Sequence, residues 1–256
     1  MKIYSIFLNT ASEKSIFFQI FDIIRSLPER HVVYGSISTI LCIAGIWIYS
    51  QCSKNLKSVI IQTIGWLVII NEILFQFSLL FYDMWSFENS LPLEMCYISA
   101  LLIPVFYKNQ NFRPLKSWFF FAGFGGSFFA FLNTNLSEMD MVYMSIHYFF
   151  AHGLVIFIML TIVVDGFSPT WKDYIQTIIH TSILVIVIST FNFFTGSNYM
   201  FTREKPPGTT FAELMPDWPY YFIIMLIIGL IFYTLLILSF FTYKILINRS
   251  NRSKEL

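Results

Sequence analysis

Six long apolar runs decide what this chain can fold into: Val32–Ser50, Ser58–Tyr82, Ser117–Asn133, Met141–Val164, Tyr174–Phe194 and Tyr220–Tyr243. About 20 apolar residues in a helix cross the ~30 Å hydrocarbon core of a bilayer. In lipid the backbone N–H and C=O groups have no water to bond, so a lone run of this kind becomes a helix. Composition agrees. Only 12% of residues are charged and 56% are hydrophobic, with a mean hydropathy of +0.66; a soluble domain carries about 25% charged residues. A shorter run, Met95–Tyr107, contains Pro104. It reads as a short helix, tilted and buried among the others, or as a re-entrant segment. The expected fold class is all-α: a polytopic membrane bundle of about seven transmembrane helices. No internal repeat stands out.

Residues 1–256 are expected to form one integral membrane domain, with an interfacial segment at 1–30, the bundle at 31–244 and a basic tail at 245–256. Phe17, Phe18, Ile20, Phe21, Ile23 and Ile24 are interleaved with Lys14, Gln19, Asp22 and Arg25. That pattern suits a helix lying on the membrane surface, or one that caps the bundle, rather than a signal peptide. Basic residues (Lys54, Lys57, Lys108, Arg113, Lys116, Lys172, Lys244, Arg249) follow the first, third, fifth and seventh helices. The loops after the second and fourth contain Asp83, Glu88, Glu94, Glu138 and Asp140 and no basic residue. By the positive-inside rule the C-terminus is cytoplasmic and the N-terminus external, against the mild contrary pull of Lys2, Lys14, Arg25 and Arg30. The location expected is the cell membrane. A net charge of +1 offers nothing to nucleic acid, so the expected partners are membrane lipids.

Polar residues inside the runs carry the functional argument, because ionisable groups in a bilayer face protein or water and mark sites. Glu72 lies in the second expected helix, His147 and His152 in the fifth, Asn192 in the sixth, Cys96 at the start of the short third helix and His31 at the start of the first. At about 1.5 Å per residue, all of these fall in the external half of the membrane, whereas His180 does not. Cys96 follows Pro92 and Glu94, which fit a helix start, and unpaired N–H groups there favour a thiolate; Glu94, if close, opposes it. Cys42 and Cys52 read as packing residues, and three cysteines give no disulfide framework. His147 and His152 are five residues apart, about 140° around a helix. That spacing fits neither HxxxH nor HExxH, so no metal is expected, and no motif asks for a cofactor. Each histidine also reads as a packed, hydrogen-bonded one. Arg203 and Lys205, in the long loop Thr195–Asp217, fit either a phosphate site or ordinary interfacial cations.

Longer motifs resemble a known family. Leu91–Cys96 (LPLEMC), Ala151–Gly153 (AHG), Asp165–Trp171 (DGFSPTW), Asn192 with Gly196–Pro206 (GSNYMFTREKP) and Asp217–Tyr221 (DWPYY) resemble the LPLHLC, SHG, EGxRPTW, N…GTNYMFLxxKP and PWPWY motifs of the YwaF-like bacterial integral membrane proteins. Glu94 stands where that family has histidine, and Ser168 where it has arginine. The family is similar to a eukaryotic transmembrane acyltransferase that works on ether phospholipids through a cysteine. The resemblance implies Cys96 as nucleophile and His152 as base; on that reading Glu72 would orient His152 or His31. Asn192 or Asn198 would hold the oxyanion. His31, His147, Tyr199, Arg203 and Lys205 would contact substrate. The expectation is therefore a lipid acyltransferase or transacylase. A small transporter or channel with a Glu72–histidine path is the alternative, as is a non-enzymatic seven-helix sensor or scaffold.

Overall fold

The computed structural model describes residues 16–132, 141–206 and 211–252. Lys2, Lys14, Glu138 and Asp140, loop residues 207–210 and the end of the tail lie outside the described residues. Among the described residues there are helices and no strands. In chain order the helices are α1 (Ile16–Arg25), α2 (Glu29–Gln51), α3 (Lys54–Phe81), α4 (Met95–Lys108), α5 (Arg113–Leu132), α6 (Val142–Val164), α7 (Trp171–Thr195) and α8 (Tyr220–Arg252). Six of them, α2, α3 and α5 to α8, are long and apolar enough to cross a bilayer. The chain is thus an all-α polytopic membrane bundle, as its apolar runs require. α8 continues past residue 244 to Arg252, so helix reaches into the stretch expected as tail.

α1 exposes Phe18, Phe21 and Ile24 and buries Ile23. It packs against the short 3₁₀ turn Phe211–Leu214. α4 is two helical pieces, Met95–Leu101 and Ile103–Lys108, roughly 20 Å together at about 1.5 Å per residue. Pro104 has no N–H to continue the ladder, and its backbone lies 3.2 Å from where a Cβ on Gly65 of α3 would stand. The short helix is therefore pressed against α3 and α6, with Val105 left exposed.

α6 is the centre of the bundle: 67% of its apolar window is buried, against 11% for α2 and α8. α2, α3, α4 and α5 all pack on it. Its approach to α2 is close because both helices carry small residues there. Ser38 donates to Phe149 O at 3.2 Å and Cys42 to Gly153 O at 3.3 Å. A Cβ on Gly45 would stand 2.9 Å from the Phe157 ring. α5 contains a π-helical turn, Phe119–Gly123, a feature often found beside functional sites. The outer helices turn Leu41, Trp47, Trp66, Phe77, Ile186 and Phe193 outward, as lipid-facing surfaces should.

The end of the bundle carrying most of the loop lysines and arginines, here the basic-loop end, is held by two hydrogen-bonded carboxylates. Asp173, buried, accepts from Arg113 Nε at 2.7 Å and Nη2 at 2.5 Å, from Ser117 Oγ at 3.0 Å, and from the Thr170 N–H and hydroxyl at 2.7 and 2.6 Å. Thr170 and Asp173 form the capping box that starts α7. Asp165 accepts from Tyr49 at 2.6 Å and Lys57 at 2.8 Å. The DGFSPTW stretch is therefore a clamp between α2, α3, α5 and α7. Ser168 contributes its carbonyl, which accepts from Arg113 at 3.0 Å.

Candidate functional site

At the opposite, acidic-loop end, α6 presents two polar faces. Tyr143 and His147, four apart, share one; Ser145, Tyr148 and His152, at three- and four-residue steps, share the other. The 140° between the two histidines sends them to different neighbours.

His147 faces α3. Asn71 Nδ2 donates to His147 Nδ1 at 2.9 Å, and Phe75 stacks on the ring with centroids 3.8 Å apart. With Nδ1 accepting, the neutral ring carries its proton on Nε2. His147 is buried, and that nitrogen has no hydrogen-bond partner. The nearest carboxylate atom, Glu72 Oε2, is 3.9 Å away. Glu72 Oε1 accepts from Gln76 at 2.8 Å, and Gln76 ties on to Ser90 O and Trp85. Glu72 is thus set against His147, not His152 or His31, because α3 lies on the His147 side of α6.

His152 is buried with the opposite tautomer. Its Nδ1 lies 2.6 Å from Tyr148 O. A carbonyl can only accept, so Nδ1 carries the proton and Nε2 of the neutral ring is a lone pair. That lone pair has no partner. Tyr97 of α4 lies between the two histidines, its ring centroid 5.4 Å from His147 and 5.8 Å from His152.

Cys96, the residue before Tyr97, is the second residue of α4. The first intrahelical bond of α4 is Ile98 N–H to Glu94 O, so the Cys96 and Tyr97 N–H groups are free of the helix ladder. The residue is half-buried and packs on α5, where a Cβ on Gly126 would stand 3.7 Å from its backbone nitrogen. No hydrogen bond joins Cys96 to His152; Tyr97 is the link between them. Ser127, next to Gly126, is fully buried with an unpartnered hydroxyl. It lies one turn beyond Gly123, which packs on Val155 and Ser99. This register sets it level with Cys96 and His152.

The other expected site residues form a layer over this cluster. Asn192 is wholly engaged: its amide donates to Tyr199 O at 2.7 Å and Thr202 at 2.8 Å, and its oxygen accepts from Tyr199 N–H at 3.1 Å. The Tyr199 hydroxyl donates to Phe87 O at 2.7 Å and accepts from Leu91 N–H at 2.9 Å, locking the 196–206 loop to the segment leading into α4. Glu94 accepts from Met200 N–H at 3.0 Å, so its carboxylate is spent on the same junction. Asn198 accepts from the Arg203 and Glu204 N–H groups, both at 3.0 Å. Arg203 donates to Asn192 O at 3.2 Å, and Lys205 to Met215 O at 2.7 Å and Asp217 at 3.2 Å. His31 donates from Nε2 to Phe131 O at 2.7 Å and leaves Nδ1 unpartnered. It sits between the start of α2 and the end of α5, edge-on to Phe149.

The structure therefore gathers Cys96, His152, His147 and Glu72 around Tyr97, with His31 at the margin. It puts Asn198, Tyr199, Arg203 and Lys205 in the overlying loop, which Asn192, near the end of α7, holds in place. Tyr97, Asn71, Ser127, Tyr143 and Ser145 belong to the cluster and escaped the sequence reading. Asn71 and Tyr97 had one available signal, adjacency to Glu72 and Cys96. Among the described residues no three His, Cys, Asp or Glu side chains converge to hold a metal ion. Neither a curated protein nor a solved structure matches the chain. A family model for the TMEM164 family, a transmembrane protein family, matches residues 26–237, a stretch that includes every residue of the cluster. The chain belongs to the TMEM164 family.

Proposed function

We propose that this protein is a membrane-embedded acyltransferase or transacylase acting on phospholipids, with Cys96 as nucleophile and His152 as general base. One observation carries the reading: the Tyr148 carbonyl fixes His152 with its free Nε2 lone pair in a buried site beside Tyr97, the residue that follows Cys96 at the start of α4. The resemblance of LPLEMC and AHG to the YwaF-like proteins, and of those to a cysteine acyltransferase, points the same way.

In the first half-reaction His152 Nε2 takes the thiol proton as Cys96 Sγ attacks the ester carbonyl. The S–C bond forms, the ester C–O bond breaks, and His152 returns the proton to the departing lipid alkoxide. In the second, His152 deprotonates the acceptor hydroxyl. Its oxygen attacks the thioester, the C–S bond breaks and the thiolate recovers the proton. The Cys96 and Tyr97 N–H groups are the nearest donors for the tetrahedral oxyanion. They take the role that the sequence assigned to Asn192 or Asn198, whose amides hold the loop. The open Cys96–His152 geometry is ordinary for a site without substrate, since catalytic hydrogen bonds tighten in the substrate complex. Arg203 has Nε and Nη2 left over from its loop contacts to meet a lipid phosphate.

The test is mass spectrometry of purified protein after incubation with chain-labelled phospholipids. Acylation of Cys96 and appearance of label in new lipids are expected. Lipid turnover without Cys96 acylation, or no turnover across headgroups, would remove the reading and favour a Glu72–His147 ion path.

A further inference from the structure

The Glu72–His147 gap is not used by the chemistry above. Asn71 fixes His147 with its N–H on the Nε2 side, 3.9 Å from Glu72 Oε2. The other tautomer would set two lone pairs face to face. The distance is too long for a hydrogen bond, and Nε2 is a buried donor with no acceptor, a costly state unless something fills it. The Tyr143 hydroxyl, one turn along the same face of α6, is also buried without a partner and is near enough to feel the Glu72 charge.

We propose that this gap is a recognition site for a hydroxyl group of a lipid headgroup. An oxygen about 2.8 Å from each atom bridges 3.9 Å. It must accept from His147 Nε2–H and donate to the Glu72 carboxylate. An ammonium donates to Glu72 but has no lone pair for His147. A phosphate accepts from His147 but is repelled by Glu72. A hydroxyl does both, and Tyr143 is placed to bond a second one, so a glycerol-type headgroup fits best. The ligand's being a lipid rests on the acyl-transfer reading; the hydroxyl chemistry does not.

The experiment uses Cys96→Ala protein in detergent micelles, where no thioester can form. Equimolar phosphatidylglycerol, phosphatidylethanolamine and phosphatidic acid with identical chains are added, and retained lipid is counted by native mass spectrometry. Phosphatidylglycerol should be enriched roughly tenfold over both others, the scale of a charge-assisted hydrogen bond. Glu72→Leu and His147→Phe, the latter keeping a ring stacked on Phe75, should bring the ratio to about one. Glu72→Gln, which keeps the shape, should fall between. Equal retention of all three lipids means that water fills the gap and overturns the proposal. So does preference for phosphatidylethanolamine, or a phosphatidylglycerol preference that survives the substitutions. Failure of Cys96 acylation in the unsubstituted protein would sink the acyl-transfer reading and leave this ranking to stand or fall by itself.

Discussion

At the basic-loop end, one buried carboxylate, Asp173, receives five hydrogen bonds from Arg113, Ser117 and Thr170. Asp165 is held there by Tyr49 and Lys57. At the acidic-loop end, His31, Ser127, Tyr143, Ser145, His147 and His152 each leave a buried polar atom without a partner. Both groups of side chains sit within one family of packed helices, so burial does not separate them; satisfaction does. A buried polar group with its bonds made holds helices together. One left open costs about 1–3 kcal/mol, and the fold tolerates that where a ligand or a reaction completes the set. The first region is a clamp and the second the candidate site.

The sharpest way to break this comparison is to remove the reactive group. Cys96→Ala and Cys96→Ser should lower acyl transfer by about 10³-fold or more with thermal stability nearly unchanged, because the sulfur bonds no side chain. Cys42→Ala and Cys52→Ala should retain most activity. His152→Gln should cost about 10²–10⁴-fold, the range of a lost general base. Near-normal turnover in Cys96→Ala would turn the site into an ion path or scaffold. Next comes the clamp. Asp173→Ala should destabilise by about 2–3 kcal/mol, since it removes the acceptor of the Ser117, Thr170 and Arg113 hydrogen bonds, seen as a lower melting temperature, while protein that still folds keeps its headgroup preference. A mild Asp173→Ala phenotype would show that this end does not hold the bundle.

Tyr199→Phe sharpens the boundary between the two behaviours. It removes the bonds to Phe87 O and Leu91 N–H, so a loss of about 1–2 kcal/mol is expected. Activity should also fall, since that junction seats the start of α4. The smallest effects, and the most telling in sign, belong to the orphan hydroxyls. Ser145→Ala should be neutral or stabilising by up to about 1 kcal/mol, whereas Ser117→Ala, which removes a donor to Asp173, should destabilise by about 1–2 kcal/mol. Equal losses in both would erase the distinction drawn above.

Much of the fold was legible in advance because bilayer physics leaves few choices. The six spanning helices, the amphipathic α1, the short seventh helix around Pro104 and the polar residues' preference for one half of the bundle all follow from length and hydropathy. Partner choice was not legible. Glu72 was read as an orienter of His152 or His31, yet it faces His147, because which side of α6 meets α3 is a packing outcome. Asn192 read as a site residue by depth, yet its amide is consumed by Tyr199 and Thr202. Depth along a helix is a one-dimensional quantity and says nothing about azimuth. Glu94, a departure from the resembling motif, found its role only when the 196–206 loop folded over it.

The sequence by itself determined that this chain is a membrane bundle, roughly where its helices begin and end, and that Cys96, Glu72 and the histidines are nucleophilic or ionisable residues set within its apolar segments. Each of those is a local property: apolar run length, charge, residue type. Only the tertiary structure decided that His147 and His152 hold opposite tautomers, that Tyr97 lies between them, and which polar groups are satisfied. Tautomer and satisfaction depend on atoms from other helices within about 3 Å, a distance that no spacing along one chain can specify.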